Sequence, residues 1–126
     1  MKNFIILILS IGILMSIFIY EDNYFKNTVN YLLTDINHIE NKINNKNYED
    51  AKEYFKFYKK SWNGIKCVWD LFVNNDEIDD IDDDISKCEI YIKNENKEES
   101  IVYLRGLKQK YNSILDRKKI KVKNVI

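Results

Sequence analysis

The sequence predicts an all-α protein: a single N-terminal transmembrane helix over residues 1–20, then an antiparallel four-helix domain over residues 21–126 built from one αα-hairpin used twice. Three observations carry that expectation. Phe4 to Tyr20 is an uninterrupted apolar run, FIILILSIGILMSIFIY. Downstream, apolar residues recur at spacings of three and four in four separate stretches, which keeps one stripe on one side of a helix. Proline is absent and glycine is limited to Gly12, Gly64 and Gly106, so little in the chain would break a long helix.

The first element is the apolar run. At about 1.5 Å per residue it makes roughly 26 Å of helix, slightly short of the ~30 Å hydrocarbon core of a bilayer. Asn3 on one side and Tyr20, Tyr24 and Phe25 on the other suit the interfacial layers. A cleavable signal has an apolar core of about 7–15 residues and small residues at a cleavage site. Here the run is longer and ends Ile17-Phe18-Ile19-Tyr20-Glu21, with no small pair, so it reads as a retained signal-anchor. Lys2 lies before it and Glu21-Asp22 after it, a bias that puts the N-terminus in the cytoplasm and residues 21–126 outside. The lipid bilayer of the cytoplasmic membrane is thus the first expected partner.

The next two elements form a hairpin over residues 24–73. Its first stripe is Phe25, Val29, Leu32, Ile36, Ile39 and Ile43, interrupted by Asn44-Asn45-Lys46-Asn47. Its second is Tyr48, Ala51, Phe55, Tyr58, Trp62, Ile65, Trp69 and Phe72, ended by Asn74-Asn75. No glycine or proline separates Tyr20 from Ile43, so the membrane helix is expected to continue as the first bundle helix. Asn75 or Asp76 is the expected N-cap of the next helix.

A second hairpin follows over residues 76–117. Its stripes are Ile78, Ile81, Ile85, Cys88 and Ile92, then Ile101, Leu104, Leu107, Tyr111 and Ile114, separated by Asn94-Glu95-Asn96. A shift of 49 residues lays Val29, Leu32, Ile36, Ile39 and Ile43 on the first of these stripes, Asn45 on Asn94, and Asn47 on Asn96. Trp62 falls on Tyr111. Short connections imply antiparallel neighbours and an up-down-up-down bundle. A two-repeat solenoid of tetratricopeptide type is the alternative, but the period is longer than that family's and its signature residues are absent.

Charge narrows the function. After the anchor, nineteen basic residues meet twenty acidic ones, so the domain carries −1 and lacks the basic excess of a nucleic-acid binder. The acidic run Asp76-Glu77-Ile78-Asp79-Asp80-Ile81-Asp82-Asp83-Asp84 is not a calcium loop: starting at Asp80, the sixth position is Ile85 and the twelfth Tyr91, where glycine and a bidentate acid are needed. Carboxylates there suit a helix N-terminus, and Lys108, Lys110, Arg117 and Lys118 on the last helix are their expected complement. His38 is the single histidine and has no second ligand at metal spacing, so neither a metal, a cofactor nor a histidine-based catalytic set is expected. Cys67 and Cys88 are expected as free thiols, since they sit on different faces and at different heights.

Two surfaces remain as candidates. Helix two is rich in aromatics, which have two readings, core packing and, since Phe57 lies off the stripe, a ligand groove or partner surface. On the second reading Trp62 and Trp69, with Glu77, Asp79 and Asp82 of the following helix, form an interaction surface for a protein partner. The tail 118–126 is basic and apolar by turns, and Lys118, Lys119, Lys121 and Lys123 are candidates for membrane contact.

Trp69-Asp70-Leu71-Phe72 followed by Glu77-Ile78-Asp79-Asp80-Ile81-Asp82 resembles a small clostridial family of membrane proteins, domain of unknown function 4363. Tyr103-Leu104-Arg105-Gly106-Leu107-Lys108 and the ending Ile120-Lys121-Val122-Lys123-Asn124-Val125-Ile126 fit as well, so the resemblance spans nearly the whole chain. One departure is Asn74-Asn75-Asp76, where the family often has histidines, which puts a histidine-dependent role in doubt. The resemblance implies a one-helix anchor and no particular activity. The function expected is non-catalytic: protein interaction or scaffolding at the outer face of the cytoplasmic membrane. The alternative is an extracytoplasmic sensor that binds a small molecule or peptide between its helices.

Overall fold

The computed structural model describes residues 2–125, the side chains of 18–22 and 119–125 lying outside that description. Every element is helical: α1 (Lys2–Asn44), α2 (Tyr48–Trp69), α3 (Asn75–Lys93) and α4 (Lys97–Val125). α1 passes without interruption from the apolar run into the bundle, as the lack of helix breakers between Tyr20 and Ile43 leads one to expect. Among the described residues no helix is long and apolar enough to cross a membrane. The span expected at 4–20 runs into residues 18–20, which lie outside the described side chains. The described part, 4–17, is helical, and its large apolar side chains are 50–67% exposed on every face.

Pairs of touching residues fix the topology. Between α1 and α2 they are Tyr31 with Ser61, His38 with Tyr54 and Lys42 with Asp50. Between α2 and α3 they are Lys59 with Glu89 and Lys66 with Asp82, and Lys52 meets Glu95 of the turn just after α3. Glu77 meets Arg117 and Asp84 meets Lys110 between α3 and α4, and Phe25 meets Lys118 and Glu40 meets Lys108 between α1 and α4. In each set one number rises as the other falls, so every neighbouring pair is antiparallel. α1 packs on α2 and α4, α3 packs on the same two, and α2 and α3 touch least. The bundle is a closed ring of four helices.

The two hairpin turns are the same structure written twice. Asn47 N donates to Lys42 O, and Lys46 N to Ile43 O; 49 residues later Asn96 N donates to Tyr91 O, and Glu95 N to Ile92 O. These bonds satisfy carbonyls that the last turn of a helix leaves unpaired. Each turn needs one left-handed residue, Lys46 at φ 60° and Glu95 at φ 57°. Asn47 Oδ1 then caps α2 by accepting from Asp50 N at 3.2 Å, and Asn96 Oδ1 caps α4 by accepting from Glu99 N at 3.2 Å. The α2–α3 connection differs. α2 ends at Trp69 rather than Phe72, and the N-cap of α3 is Asn74 rather than Asn75 or Asp76. Asn74 is extended, at ψ 134°, so its side chain reaches Asp76 N at 3.2 Å, which neither later residue is placed to do.

The core follows the stripes. Phe25, Val29, Leu32, Ile36, Ile39 and Ile43 of α1 are fully buried in one core with Phe55, Tyr58, Trp62 and Trp69 of α2, the isoleucine stripe of α3, and Leu104, Leu107 and Tyr111 of α4. An aromatic column fills the end where α1 enters. Trp69 lies 5.3 Å from Phe25, 5.5 Å from Trp62 and 5.9 Å from Tyr111, ring centre to ring centre. Edge-on and tilted pairs of this kind add about 0.5–1.5 kcal/mol each beyond the area they bury.

Candidate functional site

Trp62 and Trp69, expected on an interaction surface, lie in the core with 1% and 0% of their surface exposed. The reason is rotational: both fall on the stripe of α2, which turns inward toward α1 and α4. What Trp62 shows the surface is its ring nitrogen, which donates to Asp82 Oδ1 at 2.8 Å. Asp82 also holds Lys66 at 2.6 Å, and this hydrogen bond, ahead of the opposing effect of burial, raises the Lys66 pKa. Glu77 is paired with Arg117, and Asp79 is exposed.

The acidic start of α3 is a complement to α4 only in part: Asp82 pairs with Lys66 of α2 and Asp83 with Lys87 of α3 itself. Arg117 takes Glu77, and Lys110 takes Asp84 and also reaches Asp80 O at 3.4 Å. The other two cations named for it have partners on other elements. Lys108 pairs with Glu40 of α1 at 2.9 Å, because it lies on the α1 side of α4. Lys118 donates to Phe72 O at 2.8 Å and sits 5.0 Å from the Phe25 ring centre. Lys119, Lys121 and Lys123 lie outside the described side chains. α4 itself continues through this tail to Val125 as helix.

Inside the bundle, polar groups converge from all four helices. The hydroxyls of Tyr58 and Tyr111 are 2.5 Å apart in the core. Burial pushes the pKa of both well up; Tyr111, Cys88 and Asp35 add to the shift at Tyr58, and Asp82 adds to that at Tyr111. Burial, reinforced by Asp84, lifts the Cys88 thiol to about 12, so it is protonated and inert at neutral pH. Its Sγ faces Ser100 O at 3.8 Å. Asp35, raised by burial against the opposing pull of His38, keeps Oδ2 without a hydrogen-bond partner. Cys67 is exposed, and both thiols are free. Among the described residues no group of three or more His, Cys, Asp or Glu is placed to hold a metal ion.

The surface feature that sequence reading missed lies on α2. Where α2 and α3 diverge, a cleft of about 550 Å³ opens over Phe55 and Ile92, walled by Lys52, Lys56, Lys59, Lys60 and Lys93. Glu89 lies among them, paired with Lys59 and, at 3.2 Å, with Lys93. The bond from Lys59 is the main cause that lowers its pKa. Next to this cleft, Tyr54 and Phe57 line a shallower hollow with Asp50, Glu53, Lys56 and Lys60, and Phe57 is 55% exposed. The signal was present as lysines at spacings of three and four along α2. They alternate with aromatics of the core stripe, and the aromatics drew the reading.

No curated protein and no solved structure matches the chain. The sequence model of a domain of unknown function, DUF4363, matches residues 19–125, which takes in the bundle half of α1 and all of α2, α3 and α4, and the chain belongs to that family.

Proposed function

We propose that this protein is a single-pass, membrane-anchored, non-catalytic domain whose helical bundle binds a partner protein at the outer face of the cytoplasmic membrane. The observation that carries the reading is the start of α1. From Phe4 to Ile17 its large apolar side chains are half exposed or more on all faces, with no bundle helix against them. A helix apolar all round belongs inside a protein or a bilayer. Lys2 before the run and acids after it set the N-terminus inside.

The partner surface in this reading is the outer face of α2, where exposed Phe57 and Tyr54 sit among Asp50, Glu53, Lys56 and Lys60. Aromatic residues rimmed by charges of both signs suit a partner with an apolar patch and a mixed-charge rim. A second reading, a sensor, draws on the α2–α3 cleft, whose lysines and apolar floor fit a small anionic molecule or peptide.

The test has two arms. Full-length protein in cells is expected to resist alkaline extraction from membranes, to keep an N-terminus at or next to Met1, and to lose its bundle to protease added outside. Release by alkali, or a mature N-terminus between residues 12 and 24, sinks the anchor. Photo-crosslinking from Phe57 is expected to trap one protein partner, and a control probe at Val102, exposed on α4, none. Crosslinks to many proteins, equal at both positions, sink the partner surface.

A further inference from the structure

We infer that the α2–α3 turn, residues 70–74, is a second membrane contact, with Leu71 and Phe72 seated in the headgroup layer of the bilayer that holds α1. The inference rests on the anchored reading above and adds a site to it. Leu71 is 78% exposed, the largest exposure of any large apolar side chain described, and Phe72 is 45% exposed beside it. A turn of soluble character would carry polar residues there, and the buried neighbours Trp69 and Val73 show that the turn has a core side available to apolar groups.

Height along the bundle makes the bilayer the occupant. The Phe72 ring lies edge-on to the Phe25 ring at 6.1 Å, so the turn is level with Phe25 of α1. From the expected end of the apolar run at Tyr20 to Phe25 is about 7.5 Å of helix. A headgroup layer is roughly 5–7 Å deep on each side of the hydrocarbon. The turn therefore stands at the outer edge of that layer, with Leu71 largely uncovered by protein and Phe72 half exposed beside it. Lys118, which donates to Phe72 O, places a cation at the same level. Asp70 and Asp76 flank the turn, so the contact is apolar rather than driven by attraction to anionic lipid.

The experiment uses the full-length chain in phosphatidylcholine vesicles, with Cys67→Ser as background and the inert Cys88 retained. A single added cysteine at Leu71, Phe57 or Ile8 carries an environment-sensitive fluorophore, and nitroxide lipids labelled near the headgroup or deep in the chain act as quenchers. The Leu71 probe is expected to emit at shorter wavelength than the Phe57 probe and to be quenched by headgroup nitroxides, unchanged by added salt, while the Ile8 probe responds to deep nitroxides. A Leu71 probe as unquenched as Phe57, with Ile8 still quenched, overturns the turn contact and leaves the anchor standing. An unquenched Ile8 probe overturns both. A blue-shifted Leu71 probe that no lipid quenches assigns the turn to a second copy of the chain and also overturns the inference.

Discussion

The two hairpins share a backbone and differ in what they carry. At equivalent positions 49 residues apart, the first has Phe55, Tyr58 and Trp62 where the second has Leu104, Leu107 and Tyr111, and all six are buried. Ala51 and Ser100 are likewise equivalent and both fully buried; the extra hydroxyl of Ser100 is satisfied by O of Asn96, the residue that caps its helix, at 2.6 Å. The last pair separates them most. Trp69 closes the aromatic column, and its counterpart Lys118 caps that column from outside, over Phe25 and Phe72. The same turn thus supports a bulky hydrophobic hairpin and an aliphatic, acidic one. Geometry in these helices is set by the turn and the stripe period, and side-chain volume is free to vary as long as the facing hairpin compensates.

The comparison breaks most easily at the large rings. Trp62→Ala or Trp69→Ala is expected to cost about 3–5 kcal/mol, against about 2–4 kcal/mol for Leu104→Ala in the second hairpin. Denaturant unfolding of the full-length chain in detergent measures both. A greater loss at Leu104 would move the centre of the core to the aliphatic hairpin.

Next in size is the bond between the Tyr58 and Tyr111 hydroxyls, which joins the hairpins through the core. Tyr58→Phe or Tyr111→Phe alone is expected to cost about 1–3 kcal/mol, since each strands a buried hydroxyl. The double substitution should cost less than the sum of the two. Additive losses in a double-mutant cycle would mean that the hydroxyls do not depend on each other.

The turns supply a smaller and more pointed test. Lys46→Gly and Glu95→Gly each relieve a left-handed residue and are expected to stabilise by about 0.5–1 kcal/mol. Equal gains, read as shifts in the unfolding midpoint, sharpen the equivalence of the two turns. A gain at one and a loss at the other would break it.

Smallest are the opposed pH dependences of the hairpins. Burial, partly offset by His38, holds Asp35 above its ordinary 3.8, so the folded chain grips that proton more firmly than the unfolded one. Its contribution is most favourable below 3.8 and declines as pH rises through the folded value. Glu89 is held below its ordinary 4.5, first by the bond from Lys59, so its contribution is present above 4.5 and lost as pH falls through the folded value. Asp35→Asn should remove the decline on raising pH, and Glu89→Gln should remove the decline on acidification. Unfolding midpoints taken across roughly pH 3 to 6 read both slopes.

The stripes of α1 to α4 were legible at most positions, because burial of one helix face repeats an apolar side chain every three or four positions. Phe72, placed on the stripe of α2, lies in the turn and is 45% exposed, while Val73 and Leu115, off the stripes, are buried. The repeat was legible too, since the N-x-N pairs sit where a helix must both end and be capped again. The N-cap of α3 was misplaced by a residue or two, as Asn74, Asn75 and Asp76 are all good caps by type, and backbone conformation alone selects among them. The surface was hardest to read. Trp62 and Trp69 were visible as aromatics, yet a linear pattern does not tell a ring that fills a core from one that meets a partner.

What the sequence determined by itself was local: an apolar helical start, four amphipathic helices, two equivalent turns and a near-neutral charge. Each depends on residues within a turn or two of one another, where spacing is geometry. Tertiary structure decided the rest: Tyr58 against Tyr111, Asp82 between Trp62 and Lys66, Lys108 on Glu40, the cleft where α2 leaves α3, and the turn at Leu71 brought level with Phe25. Those contacts depend on how far each helix is rotated and slid against its neighbours. That placement is set by the fit of all the buried side chains at once, and no single stretch of chain encodes it.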